Sequence, residues 1–259
     1  MNLPKGGHAR PRRLRHGAAI LPSLFTTGNL FLGFWAIIKT LDGQFAEAAP
    51  LIGGAIVLDM LDGRIARLTG TSSEFGGEFD SLADVISFGV APALLAFRWA
   101  FAPMPRIGWL AAFFFVVCGA LRLARFNVQR HAVDTRYFVG LPIPAAAGQV
   151  ATLAFFAPDP VVERPHALAL VAVSGLLGLL MVSTVRYRSF KGLDLRQRRS
   201  YVNVLGIALL FLLIAVRPEV SLLAAASIYT LSGPIGEAAG LLRRRGDPPS
   251  AVATGEAPS

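Results

Sequence analysis

Eight apolar stretches run through this chain almost from end to end: Ala18–Leu41, Phe45–Leu61, Leu82–Phe101, Ile107–Arg125, Leu141–Ala157, His166–Val185, Val202–Val216 and Val220–Leu242. A helix needs about 20 apolar residues to cross the hydrocarbon core of a bilayer. Turn signals separate the stretches, at Asp42-Gly43, the Pro103/Pro105 pair, Pro158-Asp159-Pro160 and Arg217-Pro218. Charged residues make up only 16% of the 259 positions, against about 25% in a soluble domain. The pattern predicts an all-α fold, a polytopic transmembrane helix bundle of about eight spans. Helical periodicity cannot refine the span ends, because helices surrounded by lipid are apolar all round. Cys118 is the only cysteine, so a disulfide scaffold is excluded and Cys118 reads as packing.

Charge then sets the orientation. The formal net charge is +9, which could suggest nucleic acid, but the basic residues come in bursts between apolar stretches. That is the distribution of juxtamembrane loops, not of a groove that follows phosphates, and it argues against nucleic acid as a partner. With the N-terminus in the cytoplasm and eight spans, the inner side receives 20 of the 25 Lys and Arg. Lys39, Arg98, Arg106, Arg164 and Arg217 fall on or near the outer side. This bias supports an N-in, C-in, multi-pass protein of the cell (inner) membrane. Residues 1–17 read as a basic cytoplasmic segment, 18–242 as the transmembrane domain and 243–259 as a disordered cytoplasmic tail. The first apolar stretch is too long for a cleaved signal peptide, and Pro22 is expected to break an interfacial segment from the first true span. The basic loop Arg186–Arg199 reads as a contact for anionic membrane lipids. Gly236-x3-Gly240 fits a helix-packing motif.

The chemistry is concentrated in Val57–Val90, VLDMLDGRIARLTGTSSEFGGEFDSLADVISFGV. Asp59 and Asp62 are spaced i,i+3 and Asp80 and Asp84 i,i+4, so each pair shares one face of its helix. A cytoplasmic turn over 69–77, with Gly76 and Gly77 easing entry to the second helix, would fold the two helices antiparallel and bring the pairs together. A carboxylate in a bilayer costs at least about 2.5 kcal/mol on insertion scales, and four of them repel, so a cation must offset both terms. One aspartate alone would read as a cap or an interhelical pair; four together do not. Hard oxygen donors suit Mg²⁺ or Mn²⁺, whereas zinc prefers His and Cys. Gly63 and Ala66 bare the helix surface beside Asp62, Arg67 offers a fork for phosphate oxygens, and Ser72 and Ser73 offer hydroxyls. Carboxylate-held metal beside a phosphate-binding arginine describes phosphoryl transfer.

The run Asp59-x2-Asp62-Gly63-x2-Ala66-Arg67-x8-Gly76-x3-Asp80-x3-Asp84 resembles the full signature of the CDP-alcohol phosphotransferases. The blocks PSLFTTGNLFLGF, LRLARFNV, VGLPIPAAAG and SFKGLDL are similar to those of its bacterial, membrane-embedded, serine-using members. The resemblance implies a two-metal site of Mg²⁺ or Mn²⁺, with Asp59, Asp62 and Asp80 on one ion and Asp59, Asp80 and Asp84 on the other. It implies Asp84 as the base on the acceptor hydroxyl, and Gly63, Ala66, Arg67, Ser73 and Gly76 as the CDP-binding set. Family members often carry Pro-Asn where this chain has Pro22-Ser23, which leaves Thr26 or Asn29 as the nucleotide contacts of the first span. It further implies CDP-diacylglycerol and L-serine as substrates, phosphatidylserine and CMP as products, a homodimer, and a site at the cytoplasmic face. With no evident His, Ser or Cys nucleophile, transfer is expected by direct displacement.

The acceptor is marked less sharply. Serine brings a carboxylate and an ammonium group, and Arg122, Arg125 and Asn127 near the inner end of the fourth span, with Glu78 before Asp80, are the candidates to hold them. The arginines read equally as anchors snorkelling to head groups, and Glu78 equally as an exposed turn residue. Another acceptor, glycerol 3-phosphate or an inositol phosphate, is the nearest alternative. A cation transporter is a further one, although aspartates clustered at a single membrane face do not trace a path across it.

Overall fold

A computed structural model of the chain describes residues 13–69, 74–129, 137–188 and 212–246. Helix α1 spans Arg13–Leu41, α2 Phe45–Thr69 and α3 Glu74–Asp84; a π-helical turn, Val85–Val90, joins α3 to α4, Ala91–Trp99. Helix α5 follows over Pro105–Gln129, α6 over Ile143–Phe156, α7 over Arg164–Val182 and α8 over Pro218–Gly246. The described residues are thus helical, with one addition among them that the apolar pattern gave no hint of. Strands β1, Tyr137–Val139, and β2, Arg186–Arg188, form a small antiparallel ribbon in which Phe138 faces Tyr187.

Four segments, Ser23–Leu41, Phe75–Trp99, Pro105–Val128 and Arg164–Val182, are long and apolar enough to cross a membrane. The other expected spans fall short of that description for separate reasons. Helix α2 carries Asp59, Asp62, Arg64 and Arg67 in its second half, and α6 has only 14 residues, about 21 Å of helix. Of the stretch Val202–Val216 only 212–216 is described, and α8 ends in Arg243–Arg245. Large apolar side chains such as Phe31, Phe34, Trp109, Phe113 and Leu179 are exposed, as suits helices that meet lipid.

Helix α1 packs along α2 and also touches α3, the π turn and α4; α6 lies against α2, α4 and α8; and α5 pairs with α7. The short apolar α6 sits at the centre, with Ala146, Ala147, Val150, Ala151 and Ala154 buried. Small residues there let neighbouring backbones approach closely, which is how helices associate where no hydrophobic force separates protein from solvent. The end of the bundle opposite the acidic region is pinned by Trp99, whose Nε1 donates to Ala157 O at 2.8 Å and to Asp159 O at 3.0 Å.

Three local expectations need correction. Helix α1 runs through Pro22 without a break; a proline inside a membrane helix frees one carbonyl but need not end the helix. Gly76 and Gly77 lie in the first turns of α3, not in the preceding loop. Gly236 has open space where a Cβ would point, and the close approach on α8 is instead at Gly233, against the ring of Tyr187. Cys118 is buried, as expected of packing. Residues 1–12 and 247–259, the greater part of the basic loop, Ser72 and Ser73, and the side chains of Ala66, Arg67 and Arg243–Arg245 lie outside the described residues.

Candidate active site

Helices α2 and α3 deliver their aspartates to one place. Asp59, Asp80 and Asp84 each offer a carboxylate oxygen, and the three oxygens lie within 4.8 Å of one another. Asp84 is buried, while Asp59 and Asp80 are half-buried. Asp62 stands apart. Its buried carboxylate accepts a hydrogen bond from the Thr26 hydroxyl on α1. Successive helical residues turn by about 100°, so a spacing of three leaves Asp62 about 60° round from Asp59, on the side that meets α1.

Helix α1 also fixes Asp84. Asn29, fully buried, donates from Nδ2 to Asp84 Oδ1 at 3.3 Å. The Asn29 carbonyl in turn accepts from Ser87 Oγ at 3.1 Å. This second bond ties α1 to the π turn that begins immediately after Asp84, and single π turns inside helices are frequent at functional sites. The approach depends on Gly33, where a Cβ would fall 2.7 Å from Ser87 Cα. From the other side, Asn127 on α5 donates from Nδ2 to Ser81 Oγ at 2.9 Å, and Ser81 Oγ donates to Gly77 O at 3.0 Å. Thr26 and Asn29, read from sequence as nucleotide contacts, each donate a hydrogen bond to an aspartate of the site, and Ser81 and Ser87 are supports that no sequence signal marked.

The candidates for the acceptor divide. Arg122 on α5 interacts electrostatically with Asp84 and Asp59, and also with Tyr229 of α8. Its Nε is buried without a hydrogen-bond partner among the described residues, as are Asn127 Oδ1 and Asn29 Oδ1. Arg125 instead donates from a terminal nitrogen to Val182 O at 3.4 Å, at the last residue of α7, where a cation suits the helix dipole. Glu78 is exposed on α3. Gly63 and Gly76, both half-buried, flank the cluster in sequence next to Asp62 and one turn before Asp80.

Charge decides what this arrangement can hold. Two ionised carboxylates with oxygens within 4.8 Å of each other repel by at least about 3 kcal/mol at an effective dielectric of about 20. Three such pairs exceed what one guanidinium offsets. The donors are all hard carboxylate oxygens, which fits a divalent ion such as Mg²⁺ or Mn²⁺ and not zinc.

Residues 19–187 match the sequence model of the CDP-alcohol phosphatidyltransferase family, and the chain belongs to that family. Over 222 residues it is 40% identical to the CDP-diacylglycerol–serine O-phosphatidyltransferase of Helicobacter pylori, covering 83% of this chain and 90% of that one. The enzyme of the same name from Bacillus subtilis is 37% identical over 173 residues, 66% of this chain and 91% of its own. The archaetidylserine synthase of Methanothermobacter thermautotrophicus is 38% identical over 175 residues, 67% of this chain and 71% of that one.

Proposed function

We propose that the protein transfers the phosphatidyl group of CDP-diacylglycerol to the hydroxyl of L-serine, giving phosphatidylserine and CMP. The observation that carries this is the convergence of Asp59, Asp80 and Asp84 within 4.8 Å beside the half-buried Arg122, in a chain whose relatives are named for serine and CDP-diacylglycerol. Asp59, Asp80 and Asp84 would hold one Mg²⁺ or Mn²⁺ ion, and Asp62, set aside by Thr26, would complete a second site with Asp59 and Asp80. When bound, such ions neutralise the diphosphate and stabilise the charge that develops on the departing CMP. Gly63, Ala66, Arg67, Ser73 and Gly76 form the CDP-binding set in this reading, with Arg67 on the diphosphate.

The serine hydroxyl is a weak nucleophile at neutral pH and needs a base. Asn29 holds one oxygen of Asp84, which leaves the other to take the hydroxyl proton. The serine oxygen then bonds to the phosphorus nearer the lipid, and the bond from that phosphorus to the CMP oxygen breaks, with its electron pair leaving on CMP. Arg122 Nε and Asn127 Oδ1, a buried donor and a buried acceptor without partners among the described residues, suit the carboxylate and ammonium of serine. Eight spans with both termini and the site in the cytoplasm of an inner-membrane protein fit the charge bias, and family resemblance supports a homodimer.

The test is CMP release by purified protein in mixed micelles with CDP-diacylglycerol and, in turn, L-serine, glycerol 3-phosphate and an inositol phosphate, with and without a chelator. Release with serine that chelation abolishes and Mg²⁺ or Mn²⁺ restores is the expected result. Release with a different acceptor alone, or none at all, overturns the assignment.

A further inference from the structure

Between the acidic cluster and α5 runs a short hydrogen-bonded chain whose direction is fixed by the protons in it. Ser81 follows Asp80 and is spaced i,i+3 from Asp84, so its Cβ lies about 5–6 Å from that of Asp84 on the same side of α3. Its hydroxyl donates to Gly77 O at 3.0 Å, one turn back along α3. A serine hydroxyl has a single proton, so Ser81 meets Asn127 as an acceptor, and Asn127 Nδ2 donates to it at 2.9 Å. Turned over, the Asn127 amide would bring its carbonyl oxygen against a hydroxyl whose proton is already given to Gly77 O. The amide is therefore held one way round, with its nitrogen on Ser81.

That orientation leaves Asn127 Oδ1 buried with no hydrogen-bond partner among the described residues. A buried acceptor left unpaired costs about 1–3 kcal/mol, and a carbonyl oxygen is satisfied only by a donor. The bond to Ser81 places the amide within one helical turn of Asp84, and α5 also packs against the π turn that begins there. The span suits a small amino alcohol. Its nitrogen and hydroxyl oxygen are about 3 Å apart, and a hydrogen bond of about 2.8 Å at each end carries it across about 8 Å. That is the reach from Asp84 to an amide one hydrogen bond beyond Ser81.

We infer that Ser81 is a positioning residue, which holds the Asn127 amide with its carbonyl oxygen free for the ammonium of the acceptor and so favours alcohols with an amine beside the hydroxyl-bearing carbon. This rests on the proposed phosphatidyltransferase reaction, and it gives the acceptor preference a source on the same helix as Asp80 and Asp84. An alcohol with a hydroxyl in place of the amine offers that oxygen one proton and no charge. An ammonium offers three protons and a positive charge, and charge-assisted hydrogen bonds are the stronger ones.

The experiment measures CMP release by the full-length wild type, Ser81→Ala, Asn127→Ala and the double variant, with Ser81→Thr as the variant that keeps a hydroxyl. Freeing the amide weakens one charge-assisted hydrogen bond to the acceptor, so Ser81→Ala should raise KM for serine about tenfold. Its kcat and its KM for CDP-diacylglycerol should stay within about twofold of wild type, as should KM for serine in Ser81→Thr. Because Ser81 acts through Asn127, the double variant should have no higher KM for serine than Asn127→Ala alone. Inhibition by β-hydroxypropionate, which has the carboxylate and hydroxyl but no amine, should be alike in wild type and Ser81→Ala. An unchanged KM for serine in Ser81→Ala overturns the inference, as do additive effects in the double variant or a parallel weakening of β-hydroxypropionate. A joint loss of kcat and donor affinity would mark Ser81 as merely structural and overturn it too. Should Ser81→Ala fail to accumulate, Ser81→Cys, whose thiol is a weak hydrogen-bonding group, is measured against the same criteria. A wild type that releases no CMP with serine removes the underlying reaction instead, and that result is distinguishable because it precedes any comparison of variants.

Discussion

Gly33 is where α1 comes closest to the turn that follows Asp84, and Gly33→Ala probes how tightly that approach controls the site. The added Cβ would sit 2.7 Å from Ser87 Cα, and ordinary contact begins at 3.4 Å. The obstacles are the Ser87 hydroxyl and the Ser87 backbone, so α1 and the turn must part by at least about 0.7 Å, a large shift for a close-packed interior. The same displacement takes the Ser87–Asn29 bond from 3.1 Å to about 3.8 Å and the Asn29–Asp84 bond from 3.3 Å to about 4.0 Å, both outside hydrogen-bonding range. A hydrogen bond to a charged group contributes about 1.5–3 kcal/mol, and about 1.4 kcal/mol is tenfold in rate. Gly33→Ala should therefore lower kcat about tenfold to a hundredfold, read as CMP release at saturating donor and serine. Gly175→Ala, whose Cβ meets nothing within 4 Å, is the control and should stay within about twofold of wild type. A folded Gly33→Ala protein with wild-type kcat would refute the reasoning, because the Asn29–Asp84 contact would then have no part in setting the base.

Three further substitutions separate the site from its scaffold. Thr26→Val removes the hydroxyl that Asp62 accepts from; losing such a support typically weakens metal binding about ten- to a hundredfold, so the Mg²⁺ concentration for half-maximal CMP release should rise accordingly. Trp99→Phe loses the Nε1–H shared by Ala157 O and Asp159 O, at the far end of the bundle. It should cost about 1 kcal/mol in thermal unfolding while kcat at 25 °C stays unchanged. Gly140 has φ +80° and a Cβ there would fall 3.1 Å from Ser183 O. Gly140→Ala should lower Tm by several degrees, since both the left-handed backbone and the crowding oppose a side chain.

Much of the site was legible because it is local. Asp59, Asp80 and Asp84 lie within two consecutive helices, and their spacing puts oxygens on facing sides whatever the rest of the chain does. The small residues at Gly63 and Gly76 and the arginine at 67 are marks of the same short segment. What could not be read is what comes from a distance. Nothing in the neighbourhood of Thr26 and Asn29 names a carboxylate 36 or 55 residues away as a hydrogen-bond partner. The spacing that gives the helix face of Asp62 does not say that this face meets Thr26 on α1. The π turn at Val85–Val90 inserts no distinctive residue. The ribbon pairs two segments that each read as loop and lie about 50 residues apart, on either side of α6 and α7. Helix α8 is hydrogen-bonded to Gln149 and Tyr187 through Ser227 and Thr230, contacts of which hydropathy carries no trace. The span count divides in the same way: four strongly apolar segments are long enough to cross a membrane, whereas α2 and α8 carry charge and α6 is short.

The central claim is that Asp59, Asp80 and Asp84 grip a divalent ion, and crystals of the protein grown with Mn²⁺ test it most directly through anomalous scattering at the manganese edge. The account requires a manganese peak bounded by those three carboxylates, lost in Asp80→Asn together with CMP release. A protein that turns over with no ion between them, or with manganese bound elsewhere, would contradict it.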